Sequence, residues 1–182
     1  MKFHSRALSF IAISTLVLPI LVVVAYDVFV LSPRLSDIRA ILVSADPFDR
    51  SPPPNIRRYI QVLHRGNAAP SALVAMRLRT RFLPGSTGFW SRMGELLWGK
   101  LLWLHLSQDE VIALYSTLAH NGQGNGLNAL SHHLFAKPLN TLTEQEAATV
   151  VAYTWAPSIY RLHPERLVGR RDALIQMARS RR

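Results

Sequence analysis

The sequence contains no cysteine, so disulfides, thiolate nucleophiles and cysteine-ligated metals are excluded. That absence suits a periplasmic domain without fixing a compartment. Acidic residues are scarce, with 11 Asp and Glu against 21 Lys and Arg. An excess of this sign favours anionic partners such as phospholipid headgroups, pyrophosphates or nucleic acid. No nucleic-acid motif accompanies the charge, so nucleic acid is set aside. Internal repeats are missing, and so is the alternation of apolar and polar residues that marks strands. What remains is the spacing of helices, and an all-α fold is expected.

Charge is also missing from Ala7 to Tyr26, a run dense in Ile, Leu, Val and Phe. About twenty such residues span a bilayer as a helix. A cleaved signal peptide would carry a shorter apolar region and a small-residue cleavage site, and neither is present, so an uncleaved anchor over residues 1–31 is favoured. Lys2 and Arg6 place the N-terminus inside, although Arg34 and Arg39 on the other flank oppose that vote. Pro19 is a tolerated kink. Beyond the juxtamembrane link, Ser51-Pro-Pro-Pro54 reads as loop and Asn55 to Leu63 as a short helix. Residues 66–70 read as a turn. Ser71 to Leu83 reads as a basic amphipathic helix and Trp90 to Leu106 as a long apolar one. Ser107 with Glu110, and Thr143 with Glu146, have the spacing of capping boxes. Gly122, Gly124 and Gly126 loosen the segment before Leu127. Pro138 and Pro157 each end a helix, and Pro164 opens the last one.

From Gly126 onward the order of residues is distinctive. A small helix is followed by Phe135-x-Lys137, Leu142-Thr-x-x-Glu146-Ala-Ala, Ala156-Pro157, Tyr160, Pro164, Arg170-Arg171 and Met177. This resembles the C-terminal half of the peptidoglycan glycosyltransferase domain of glycosyltransferase family 51, which is found in penicillin-binding proteins and monofunctional transglycosylases. The resemblance implies a lysozyme-like, all-α glycosyltransferase domain over residues 38–178, carried by one N-terminal transmembrane helix. No transpeptidase pattern follows, so the monofunctional architecture is expected. It also implies a place on the outer, periplasmic face of a bacterial inner membrane.

The family joins disaccharide units of lipid-linked precursors with loss of a polyprenyl pyrophosphate. A carboxylate must take the acceptor's hydroxyl proton, and positive charge must meet the leaving pyrophosphate. In the family the base is the Glu of Glu-Asp-x-x-Phe. Here the matching stretch is Ala45-Asp46-Pro47-Phe48, with Ala45 in the Glu position. Asp46 or Asp49 is left to substitute, and the competing reading is a helix-terminal or loop carboxylate. The second family motif matches Ser71 to Thr80, with Ser71 retained, Arg79 at the Lys position, and Ala75-Met76 in place of a Gln pair. Arg79 is expected to face the pyrophosphate or to lie on a basic helix face over lipid headgroups. The third matches Ser91-Arg92-Met93-Gly94-Glu95, where Arg92 and Glu95 fill the Lys and Glu positions. Glu95 is the sole acid between Asp49 and Asp109, so it is either a site residue or the partner of Arg92 or Arg79. In the fourth motif Tyr115 survives while the Lys, Glu and Leu-Asn are lost.

By resemblance, then, Glu95 and Asp46 are the candidate catalytic residues. Ser71, Arg79 and Arg92 are the candidate substrate- and pyrophosphate-binding residues. The resemblance allows a divalent cation at the pyrophosphate and otherwise implies no cofactor. His132-His133 point about 100° apart on a helix and suggest no metal site. Expected partners are membrane lipid, lipid-linked peptidoglycan precursor or glycan strand, and an envelope protein. The competing function is a catalytically silent relative that serves as an interaction or regulatory module.

Overall fold

The computed structural model describes residues 17–63, 70–85 and 88–180, apart from the side chains of residues 89 and 90. The basic flank with Lys2 and Arg6, positions 66–69 of the expected turn and the Phe89 and Trp90 side chains lie outside the described residues. Two compact units are distinguished, Met1–Asp37 and Ile38–Arg182. In the first, residues 17–26 form helix α1, followed by a π-helical turn at Asp27–Leu31 and a 3-10 turn at Ser32–Arg34. The helical stretch Val17–Ser44, with a mean hydropathy of 1.8 in its most apolar window, is long and apolar enough to cross a membrane.

The second unit is helical, and no strand forms among the described residues; His120 and Asn125 make one isolated bridge. After α2 (Leu35–Ser44) come α3 (Pro47–Arg50), α4 (Pro54–Leu63), α5 (Pro70–Phe82) and α6 (Gly88–His105). Then follow α7 (Gln108–Leu118), α8 (Leu127–Phe135), α9 (Glu144–Tyr153), α10 (Pro157–Leu162) and α11 (Pro164–Arg179).

Helix α7 is buried nearly all round, through Val111 to Ser116 and Leu118, and packs on α3, α5 and α8. A helix apolar on every side is a core helix. Its Tyr115 is fully buried, with its hydroxyl 3.0 Å from Thr154 Oγ1. Helix α9 is the second hub. It buries Ala147, Ala148, Val150, Val151 and Ala152 against α4, α8 and α11. The small alanines let those neighbours approach closely. Helices α5 and α6 pair along their length, with Trp98 buried between them and close to Phe82. Trp103 is partly exposed, at 42%.

Both expected capping boxes form. Ser107 Oγ accepts from Glu110 N while Glu110 Oε2 accepts from Ser107 N, and Thr143 and Glu146 do the same at α9. Lys137 Nζ also reaches Glu146 at 2.7 Å, and together with the Thr143 N–H it holds that carboxyl down at about 2. The segment after α8 differs from expectation in one respect. Pro157 does not end α9, which stops at Tyr153; it opens the extra helix α10 at a position where its missing N–H is harmless.

Thr143→Ala removes one half of the α9 capping box. Equilibrium denaturation should show a loss of about 1 kcal/mol.

Candidate functional site

The candidate residues fall into two clusters. The first is on the α5–α6 pair. Arg79 is only 6% exposed, and its Nη1 donates to Ser91 O at 2.6 Å and to Ser91 Oγ at 2.8 Å. The same nitrogen lies 4.0 Å from Glu95 Oε1, and Ser91 Oγ donates to Glu95 at 3.5 Å. Glu95 is partly exposed, so its carboxylate borders both the arginine and solvent.

The residue that makes this arrangement possible is Gly94, which carried no weight in the sequence reading. A Cβ there would sit 2.5 Å from Arg79 Nε and 2.8 Å from Cζ. The guanidinium therefore lies against the bare backbone of α6. Arg92 is exposed. Ser71 is buried at the other end of the pair, where its carbonyl lies 4.0 Å from a Cβ built on Gly99. Arg79 stands eight positions after Ser71 on the helix, a rise of about 12 Å. The structure thus joins Arg79 and Glu95 and leaves Ser71 two turns away.

The second cluster contains both aspartates. Asp46 is the N-cap of α3: its Oδ1 accepts from Phe48 N at 2.8 Å, and its Oδ2 accepts from Asn128 Nδ2 at 3.0 Å. Asn128 Oδ1 in turn accepts from Leu139 N at 3.1 Å. Asp49 is 4% exposed. Its Oδ1 accepts from Ser116 Oγ at 2.6 Å and from the N–H groups of Leu127 and Asn128, each at 3.0 Å. Those N–H groups are the first two of α8, whose N-cap position holds Gly126 at φ 104° and no capping side chain. Asp49 therefore caps α8 from a distant part of the chain. Its Oδ2 lies where a Gly126 Cβ would come within 2.8 Å. Burial pushes the Asp49 carboxyl up to about 6, against the lowering by the Ser116 hydroxyl and the two backbone donors.

Chemically, the first cluster offers a fixed cation with an adjoining carboxylate, and the second offers carboxylates already occupied by structural donors. Among the described residues no group of three or more His, Cys, Asp or Glu could hold a metal ion. Glu95 has an arginine beside it in place of further acids, so these residues do not fit a divalent cation.

The unit is all-α, as a lysozyme-like transglycosylase domain is, and the comparison with known families agrees. The transglycosylase family matches residues 71–179, and the chain belongs to that family. Among curated proteins it is similar to penicillin-binding protein 1F of Bacillus subtilis (strain 168), with 29% identity over 123 residues. That match covers 65% of this chain and only 17% of the relative's length.

Two changes at Asp49 separate its acceptor role from its charge. Asp49→Ala leaves three buried donors without an acceptor and should lower stability by about 3 kcal/mol; Asp49→Asn keeps an oxygen for them and should cost less than about 1 kcal/mol. The native pKa of about 6 lies above the ordinary 3.8. The stabilisation linked to this proton is therefore fully present below the ordinary value and is lost as pH rises through about 6. Denaturation of both proteins across that window should show wild type losing stability relative to Asp49→Asn as pH rises.

Proposed function

We propose that the chain is a membrane-anchored, peptidoglycan glycosyltransferase-like protein that binds the lipid-linked disaccharide precursor, or the glycan strand made from it, in cell-wall synthesis. In this reading residues 1–31 are the anchor in a bacterial inner membrane. Residues 38–178 are the glycosyltransferase-like domain on its periplasmic side, in contact with membrane lipid. Family membership supports the ligand class. The observation that carries the reading is the Arg79–Ser91–Glu95 cluster at the family's second and third motifs, with a cation fixed beside a partly exposed carboxylate. Buried and held by Ser91, Arg79 fixes the position of the Glu95 carboxylate, which borders solvent.

Catalysis is the weaker half of the family's function in this chain. By family resemblance, Ala45 stands where the family has its general-base Glu. Asp46 uses one oxygen on Phe48 N and the other on Asn128, and Asp49 is buried with Oδ1 saturated. A carboxylate committed to structural donors is poorly placed to take a proton from an acceptor hydroxyl. These facts favour the second reading, a catalytically silent relative that serves as an interaction or regulatory module of an envelope complex. The exposed Trp155, Ile159 and Leu162 would suit such contacts with a protein partner.

The deciding experiment is polymerisation of labelled lipid-linked precursor by the detergent-solubilised chain, with Glu95→Gln and Asp46→Asn in parallel. Precursor binding is expected, with polymer formation at least about a hundredfold below that of a family member with its base intact. Robust polymer that disappears in Asp46→Asn would make Asp46 a relocated base and overturn the silent reading. Absence of precursor binding would overturn the first.

A further inference from the structure

By family resemblance Arg79 was expected to face a pyrophosphate or to lie on a basic face over headgroups, yet its guanidinium is turned inward against Gly94 and Ser91. The outward face of the same helix carries a different set. Arg77, Thr80 and Arg81 stand at i, i+3 and i+4, so they share one face of α5, while Arg79 lies on another. With Leu118 from the end of α7 and Asn125 from the glycine-rich segment, these residues line a cleft of about 330 Å³. Its lining holds two guanidinium groups and, among the described residues, no carboxylate. Arg77 Nε is enclosed and has no hydrogen-bond acceptor among the described residues. Thr80 Oγ1 is spent on the Met76 carbonyl at 2.9 Å, which leaves the two arginines as the cleft's charged donors. The far wall is tied to the second cluster, because Asn125 immediately precedes Gly126, which abuts Asp49.

We propose that this cleft is a diphosphate-binding site, with Arg77 and Arg81 as its ligands and Asn125 on the opposing wall. Two guanidinium groups one helical turn apart can each fork onto one phosphoryl group of a diphosphate, whereas a single orthophosphate engages them less completely. The absence of a competing acid keeps both arginines available to the anion. The proposal rests on the precursor-binding reading for the source of the diphosphate, a lipid-linked sugar. It assigns the contact to residues outside the family's motif positions.

The test is titration of the full chain, in neutral detergent, with inorganic pyrophosphate, followed by calorimetry. Arg77→Ala with Arg81→Ala should weaken binding about tenfold or more, and the paired Lys variants should fall between, keeping charge without the fork. Lys100→Ala with Arg166→Ala removes the same charge from exposed positions elsewhere and should leave affinity within about twofold. Equal losses in the cleft and control pairs, or no pyrophosphate binding by wild type, would overturn the site. If lipid-linked precursor binds but is insensitive to Arg77 and Arg81, the cleft assignment fails and the precursor reading stands. If pyrophosphate binds through the two arginines and precursor does not compete, the site stands and the precursor reading fails. Vesicles of phosphatidylcholine with and without phosphatidylglycerol separate the sources. Arginine-dependent association with the anionic vesicles, in a protein that ignores pyrophosphate, would assign the cleft to headgroups and overturn the diphosphate site.

Discussion

The buried carboxylate of Asp49 is the interaction on which the arrangement around the candidate site depends. It sits on α3, takes a hydroxyl from α7 and supplies the acceptor for the first two backbone donors of α8. Gly126 leaves room for it by lacking a side chain, at a backbone angle that disfavours any other residue. Three elements are thereby held at one point, although their partners are 67 to 79 positions apart in sequence. Asp46 and Asn128 extend the same junction to Leu139. An aspartate so placed is architectural, whatever motif it neighbours.

Much of the fold was legible in the sequence because its signals are local. The two capping boxes, the proline at the start of α11 and the apolar run at the N-terminus each act within a few residues or along one continuous stretch. Among the described residues the structure carries both boxes, the proline, and the apolar run from Val17 onward. Pro157 was misread because a proline signals a boundary without saying on which side the helix lies. The site was less legible. Resemblance to the family's motifs offered Arg79 as one possible partner of Glu95, and the two do meet. The burial of the guanidinium depends on a packing partner, Gly94, that has no chemistry of its own to notice. Asp46 and Asp49 could be weighed only as acids near a motif, since the donors that occupy them come from α7 and α8. Arg77 and Arg81 sit beside the aligned positions instead of on them, so a motif comparison passes over them.

The two clusters also express a division of labour within one helical scaffold. Around α7 and α8, charge is consumed internally, by helix N-termini and buried hydroxyls. Along α5, charge is sorted by helical face, one arginine facing α6 and two lining a cleft. A chain with few acids can sustain this sorting because few carboxylates are available to quench the outward cations. The acids that are present are mostly engaged at helix starts or with specific arginines. Glu144, for instance, receives both Arg58 and Arg179 and so draws α11 toward α4.

Gly94 gives a helix-breaking residue an unusual significance. Glycine inside a helix loosens it by about 1 kcal/mol relative to alanine, and here the vacant volume is filled by another helix's charged end group. The position works as a socket. Whichever residue stands there sets whether the neighbouring cation is stowed within the protein or expelled toward solvent. One uncharged methyl group would displace the guanidinium and so shift the charge beside Glu95.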